Sequence, residues 1–176
     1  HFSSLADCVD IEEKNAWQQL VVEQNIMDGK VMLSCFDCVG RDNARTPMQW
    51  DDTANAGFTT GEPWLAVNPN YPVINVKAAL ADKQSVFYYY QRLIALRHTL
   101  PIVVYGRFKP LLEDSEEIYA YQRILGEQIL VVAANWTDKE VPCDLFAGDQ
   151  DEELISNYDT HKAGFLQPYE ARVVRK

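Results

Sequence analysis

Long hydrophobic runs are missing from this sequence: no stretch of about 18 apolar residues exists, so no helix is predicted to span a membrane. Basic residues are also scarce. Lys and Arg number 16 against 26 Asp and Glu, a net charge of −10, and no basic stripe offsets it. A phosphate backbone would be repelled, which excludes nucleic acid as a partner. An anionic membrane surface is excluded for the same reason. Cysteine is sparse, with four residues (Cys8, Cys35, Cys38, Cys143), too few for a disulfide scaffold in 176 residues. Cys35 and Cys38 form a C-x-x-C, but a structural zinc site needs about four ligands. No second pair follows, and His1, His98 and His161 lie far off. The expectation is reduced thiols, no bound metal and a cytoplasmic protein. The 8 Gly and 8 Pro are scattered without period, which excludes collagen-like and low-complexity classes. The chain opens at His1-Phe2-Ser3 instead of Met, as expected of a fragment, so a missing signal peptide says little about any parent.

What is present is the material of a folded domain. Hydrophobic residues make up 47% and aromatics 11%. A chain of this length buries roughly 70% of its unfolded surface, as one domain or two small ones. It is too short for a complete (β/α)8 barrel, which needs roughly 200 residues or more. Asp10-Ile11-Glu12-Glu13 reads as a helix cap, followed by a stripe of Trp17, Leu20 and Val21 that runs to about Gln24. Asp28-Gly29 ends that helix or turns the chain. From Cys35 to Pro72 neither period is present, and a long irregular loop is predicted, anchored by Trp50, Phe58, Trp64 and Tyr71. Such loops tend to be functional. Asn75 caps a short turn over Lys77–Ala81. A helix from Ser85 carries Val86, Tyr90, Leu93 and Arg97 on one face, with Phe87 and Ile94 beside them, until Pro101 stops it. After that the period changes to that of strands. Ile102–Phe108, Ile118–Ile124, Ile129–Ala134, Leu154–Tyr158 and Ala171–Val174 are separated by turn signals, the spacing of an antiparallel sheet packed on itself. Val103, Tyr119, Tyr121, Leu130, Val132 and Val173 are its core candidates. The boundary falls near Leu100-Pro101.

Hydrolytic chemistry most often needs paired carboxylates, and a retaining glycosidase holds them about 5 Å apart. The candidates are Asp51-Asp52, Glu113-Asp114 with Glu116-Glu117, and the run from Asp149 to Glu153. All sit in turn-like polar stretches where acids are ordinarily solvated. No G-x-S-x-G elbow and no phosphate-cradling glycine loop is present. The residues alone therefore show no catalytic centre. One segment stands apart: Arg41-Asp42-Asn43-Ala44-Arg45-Thr46-Pro47-Met48-Gln49-Trp50. A guanidinium is a fixed fork of donors suited to a carboxylate or to neighbouring sugar hydroxyls. Equally, Arg45 and Asp42 could pin the loop, with Trp50 as a hydrophobic plug.

That ten-residue segment, followed by Asn55-Ala56-Gly57-Phe58 and Glu62-Pro63-Trp64, resembles the oligo-1,6-glucosidase branch of the α-amylase superfamily, glycoside hydrolase family 13. Further matches are Val67-Asn68-Pro69-Asn70-Tyr71, Ile74-Asn75-Val76, Ser85–Tyr90 with Leu93–Arg97, Ile155–Tyr158 and Pro168–Ala171. The likeness covers nearly the whole chain and is weakest before Gly40 and between Asp138 and Glu152. It implies the C-terminal third of an α-glucosidase that cleaves α-1,6-linked isomalto-oligosaccharides from the non-reducing end with retention. The fold so implied is mixed: residues 1–100 are the last βα loop and helix of a (β/α)8 barrel, and residues 101–176 an all-β antiparallel sandwich. The family's catalytic acids, including those of an Asn-His-Asp, lie N-terminal to this segment, so no catalytic residue is assigned here and the segment alone is expected to be inactive. Its partners would be an oligosaccharide substrate and the N-terminal barrel portion of the same enzyme.

In this family an arginine of the motif pairs with an aspartate from an early barrel loop and holds the sugar in the −1 subsite. The resemblance gives that role to Arg41, with Arg45 as second choice and Asp42 and Trp50 as loop supports. Nothing here looks like a calcium loop, so a Ca2+, where the enzyme uses one, belongs to the missing barrel. Cys8-Val9 and Cys35–Gly40 depart from the family pattern. Trehalose-6-phosphate hydrolase and sucrose isomerase share the motif and stand as alternatives, as does a non-catalytic carbohydrate-binding or accessory module.

Overall fold

The computed structural model describes residues 2–148 and 151–176. His1, and Asp149 of the acidic run, lie outside them. The chain forms two compact units that meet in sequence between Lys83 and Gln84.

The first unit is helical, then irregular. Asp10 caps α1 (Ile11–Trp17) by accepting from the Glu12 amide at 2.8 Å, and a π-turn over Gln18–Glu23 continues it. The second helix, α2, spans Gly29–Val39. Here the turn expected at Asp28-Gly29 is a helix start: the Asp28 carboxylate accepts from the amides of Lys30 and Val31, two of the donors a helix N-terminus leaves free. Met32 and Phe36, spaced i and i+4, then face a small core with Cys8, against which Trp17, Leu20 and Val21 pack. The irregular stretch therefore begins at Gly40, five residues later than expected. Its aromatics are not buried anchors. Trp50, Phe58 and Trp64 are exposed, and Tyr71 is half-buried.

Polar bonds hold the loop instead. Val76 and Lys77 donate their amides to the carbonyls of Gln49 and Trp50, and Trp50 and Asp51 donate theirs to the carbonyl of Ala56. Asn55 and Ala56 both have positive φ, 53° and 55°. For Ala56, fully buried, that backbone is strained and held only because its surroundings leave no alternative. The loop ends at α3 (Val76–Ala81), which Asn75 caps by accepting from Ala78 at 2.8 Å.

The second unit opens with α4 (Val86–Thr99). Of the predicted stripe only Leu93 is sheltered; Tyr89, Leu96 and Leu100 join it, while Val86, Phe87, Tyr90 and Ile94 are exposed. Pro101 ends α4 and starts another helix, α5 (Pro101–Tyr105), so the run expected to open the sheet is helical up to Tyr105. Proline tolerates the first helical position because the amide it lacks would go unpaired there.

Among the described residues seven strands follow: β1 (Arg107–Leu111), β2 (Ile118–Leu125), β3 (Gln128–Asn135), β4 (Val141–Pro142), β5 (Glu152–Ser156), β6 (Phe165–Leu166) and β7 (Ala171–Arg175). Five form an antiparallel sheet in the order β1-β2-β3-β7-β5, and β4 pairs with β6. The core between the five strands and the β4–β6 pair is Ile118, Ala120, Ala133, Val141, Cys143 and Leu166. The core predicted from sequence is thus out of phase by one residue on β2. Tyr119 is exposed and Tyr121 only half-buried, where Ile118 and Ala120 point inward. On β7, Val174 is fully buried in place of Val173. Of the predicted set Leu130 alone is fully inside, with Val103, Val132 and Val173 half-buried. Both sheet faces carry apolar side chains, and the alternate face holds an aromatic row in which Phe108 and Tyr119 each lie against Tyr121. Among the described residues no helix is long and apolar enough to cross a membrane.

Candidate functional site

The Arg41–Trp50 segment begins where α2 stops. Gly40 takes an extended backbone (φ −61°, ψ 136°), and a 3-10 turn over Arg41–Ala44 follows. That turn carries Asp42 inward, leaving it 1% exposed. Its carboxylate accepts from the amides of Val9 (2.6 Å) and Asp10 (3.0 Å) and from Arg45 Nη2 (2.5 Å). Burial pushes the Asp42 carboxyl upward, but those amides and the guanidinium outweigh it and hold the group below the usual carboxylate range. Arg45 Nη2 also reaches Asp10 Oδ2 at 2.7 Å, and its guanidinium lies over the Trp64 ring. Asp42, Arg45 and Asp10 thus tie the loop to the entrance of α1, across 35 residues of sequence in the case of Arg45 and Asp10.

Asp10 is the residue that sequence reasoning undervalued. It reads as a cap and is one, yet its second oxygen is where both arginines converge. No local signal carries that second role, because its partners are remote in sequence. The two arginines differ sharply. Arg41 is 61% exposed and has only longer contacts, 3.7 Å to Asp10 and 3.5 Å to Glu12, whereas Arg45 is 36% exposed and engaged at short range. Trp50 supports the loop through its backbone, with half its surface exposed.

The departures at Cys8-Val9 are absorbed by the local packing and backbone. Val9 contributes its amide to Asp42, and Cys8 packs in the small core, where burial and the nearby Glu13 charge push its thiol up to about 12. Cys35 and Cys38 lie exposed on α2 as free thiols. Among the described residues no three His, Cys, Asp or Glu side chains converge as metal ligands do.

Several of the other candidate acids are occupied, while Glu113, Asp114, Glu116 and Glu117 lie exposed. Asp51 accepts from Thr53, and Asp52 pairs with Lys77 at 2.8 Å; these contacts hold both carboxyls below the usual range, the opposite of what an acid catalyst needs. Glu153 pairs with Arg172 at 2.9 Å, and His161 bridges Glu153 and the fully buried Glu170 at 2.7 Å each.

Known proteins place this architecture. The family pattern described as "Alpha amylase, catalytic domain" matches residues 9–106. The oligo-1,6-glucosidase of Bacillus cereus is 47% identical over 99% of the chain, which spans 32% of that relative. The crystal structure of trehalulose synthase from Pseudomonas mesoacidophila superposes with a TM-score of 0.91 at 35% identity, covering 99% of this chain and 33% of that one. That of trehalose-6-phosphate hydrolase from Bacillus licheniformis gives a TM-score of 0.88 at 32% identity, with 99% and 33% covered. The chain therefore spans about a third of the length of the relatives it matches, and it belongs to the α-amylase family.

Proposed function

We propose that this chain is the C-terminal part of a retaining α-glucosidase that removes glucose from the non-reducing end of α-1,6-linked isomalto-oligosaccharides. The observation that carries the reading is similarity to oligo-1,6-glucosidases along essentially the whole chain. In this reading residues 1–100 finish the (β/α)8 barrel and residues 101–176 are its β-sandwich appendage. The acids that cleave the bond come from the polypeptide that completes the barrel. No cofactor is assigned to the segment, any Ca2+ belongs to that missing part, and the enzyme acts in the cytoplasm.

Within the segment, Arg41 is the arm that reaches the sugar. Its side chain is mostly exposed and loosely held, which leaves its fork free to meet an aspartate of the missing barrel and a hydroxyl of the terminal glucose. Arg45, by contrast, fastens the loop, and Asp42 and Trp50 support it. Closing the pocket behind the terminal sugar favours cleavage from the chain end.

Trehalose-6-phosphate hydrolysis is the second reading, favoured by the Bacillus licheniformis structure; sucrose isomerisation is a third, favoured by the trehalulose synthase. Assaying the parent enzyme on isomaltose, trehalose 6-phosphate and sucrose separates the three. The proposal expects the highest kcat/KM on isomaltose and no turnover by the isolated 176 residues. Preference for either other substrate, or turnover by the isolated chain, contradicts it.

A further inference from the structure

One acid beside Arg41 has no use in the loop's own bonding. Glu13, on the first turn of α1, is 6% exposed, and among the described residues neither of its carboxylate oxygens has an N–H or O–H partner. The surrounding groups are spoken for: Asp42 holds two amides and Arg45, Asp10 holds the Glu12 amide and Arg45, and Arg41 leans toward Asp10 and Glu12. The one donor turned toward it is the thiol of Cys8, a weak donor that neutralises no charge. The carboxylate rests against Gly40, where a β-carbon would stand 2.5 Å from Glu13 Oε1, so glycine there leaves it room. Glu13, Asp10, Ala16, Phe36, Val39 and Arg41 line a cavity of about 180 Å³. One water's share of liquid volume is about 30 Å³, so the space admits a guanidinium or ammonium group. A buried carboxylate without a donor is strongly unfavourable and calls for a cation. Ala16, Phe36 and Val39 offer the apolar wall along which a long basic side chain lays its methylenes.

We propose that this cavity receives the cationic side chain of an arginine or lysine carried by the polypeptide that completes the barrel, with Glu13 as its acceptor. The inference rests on the fragment reading above and adds a contact within it. A partner group that arrives from outside the chain accounts for both the orphaned carboxylate and the space in front of it.

The site is tested first in the 176-residue chain with methylguanidinium as the probe, against sodium chloride of equal ionic strength. A ligand that binds only the folded state raises Tm. Millimolar methylguanidinium is expected to raise the Tm of the chain by about 2–4 °C and to leave that of Glu13→Gln unmoved. Ala16→Lys, which supplies an ammonium from within the cavity wall, is expected to raise Tm by itself and to abolish the response to the probe. It also keeps the test intact should Glu13→Gln fold poorly. No shift in the unsubstituted chain, or an equal shift in Glu13→Gln, overturns the site. The occupant is tested by moving Glu13→Gln between contexts: the substitution is expected to raise Tm in the isolated chain and to lower it in the parent enzyme. A rise in both overturns the proposed occupant. Failure of the fragment reading shows separately, as an upstream sequence without the catalytic acids, and leaves the two measurements on the chain interpretable.

Discussion

The strands of the second unit close a core of their own, whereas residues 2–83 and the helix α4 leave much of their apolar surface open. In the β unit Ala133, Leu166 and Val174 are fully buried, between a five-stranded sheet and a strand pair or on the sheet itself. In the first unit the clustered core is Cys8, Met32 and Phe36, and Trp50, Trp64, Val73 and Ile74 stand exposed. Its order comes from polar fasteners, chiefly Asp10, Asp42 and Arg45, which fix a long irregular stretch to one helix end. A core that packs by itself needs little from outside. A loop fixed at a few polar points leaves side chains such as Arg41 free for another task, which is why binding residues concentrate on loops braced by a scaffold.

The contrast can be broken most visibly at Arg41. In the parent enzyme Arg41→Ala is expected to leave a buried aspartate of the missing barrel unpaired, costing about 3–5 kcal/mol, roughly two to four powers of ten in kcat/KM. The loss should be similar for every substrate with a terminal glucose, and Arg41→Lys should recover little, because an ammonium cannot copy two parallel hydrogen bonds. Arg45→Ala should instead lower Tm while the folded fraction keeps near-normal kinetics. Steady-state rates and thermal melts on both variants check this. Two kinetically silent variants would remove the arm from the account.

In the β unit, Leu166→Ala empties a fully buried position and should cost about 2–4 kcal/mol in urea unfolding. Trp50→Ala, half exposed on the loop, should change stability by less than about 0.5 kcal/mol apart from its backbone role. Equal costs would erase the distinction between the units. Asp42 adds a pH signature. Its carboxyl is held low in the folded state, so its contribution is present above the unfolded value of about 4 and is lost as pH falls through the folded one. Asp42→Asn should therefore flatten the acid side of the stability profile, read from melts across pH. The smallest effect belongs to Lys77→Ala, which removes an exposed, salt-screened pair with Asp52 and should leave Tm essentially unmoved.

Much of this was legible locally. The caps at Asp10 and Asn75, the long helix ending at Thr99 and the strands β2, β3 and β7 follow from spacing and from cap chemistry. The misses share a cause. Asp28-Gly29 has the composition of a turn, and only the packing of Met32 and Phe36 on Cys8 makes it a helix start. Strand alternation identifies two faces but not which is inside when Tyr119 and Tyr121 look as apolar as Ile118 and Ala120. Packing against Val141 and Leu166 of β4 and β6 is what settles it, and that contact is remote in sequence. At the site, the motif marked Arg41, Asp42 and Arg45, while the convergence of both arginines on Asp10 depends on contacts between remote residues.

The central claim is that residues 2–100 are completed by further polypeptide and the β-sheet that follows is not. Hydrogen exchange on the isolated chain and on the parent enzyme tests it directly. The account predicts strongly protected amides in β2, β3 and β7 in both, with amides of residues 41–75 exchanging fast in the chain and slowly in the parent. Equal protection of both units in the isolated chain, or unchanged exchange of residues 41–75 in the parent, would contradict it.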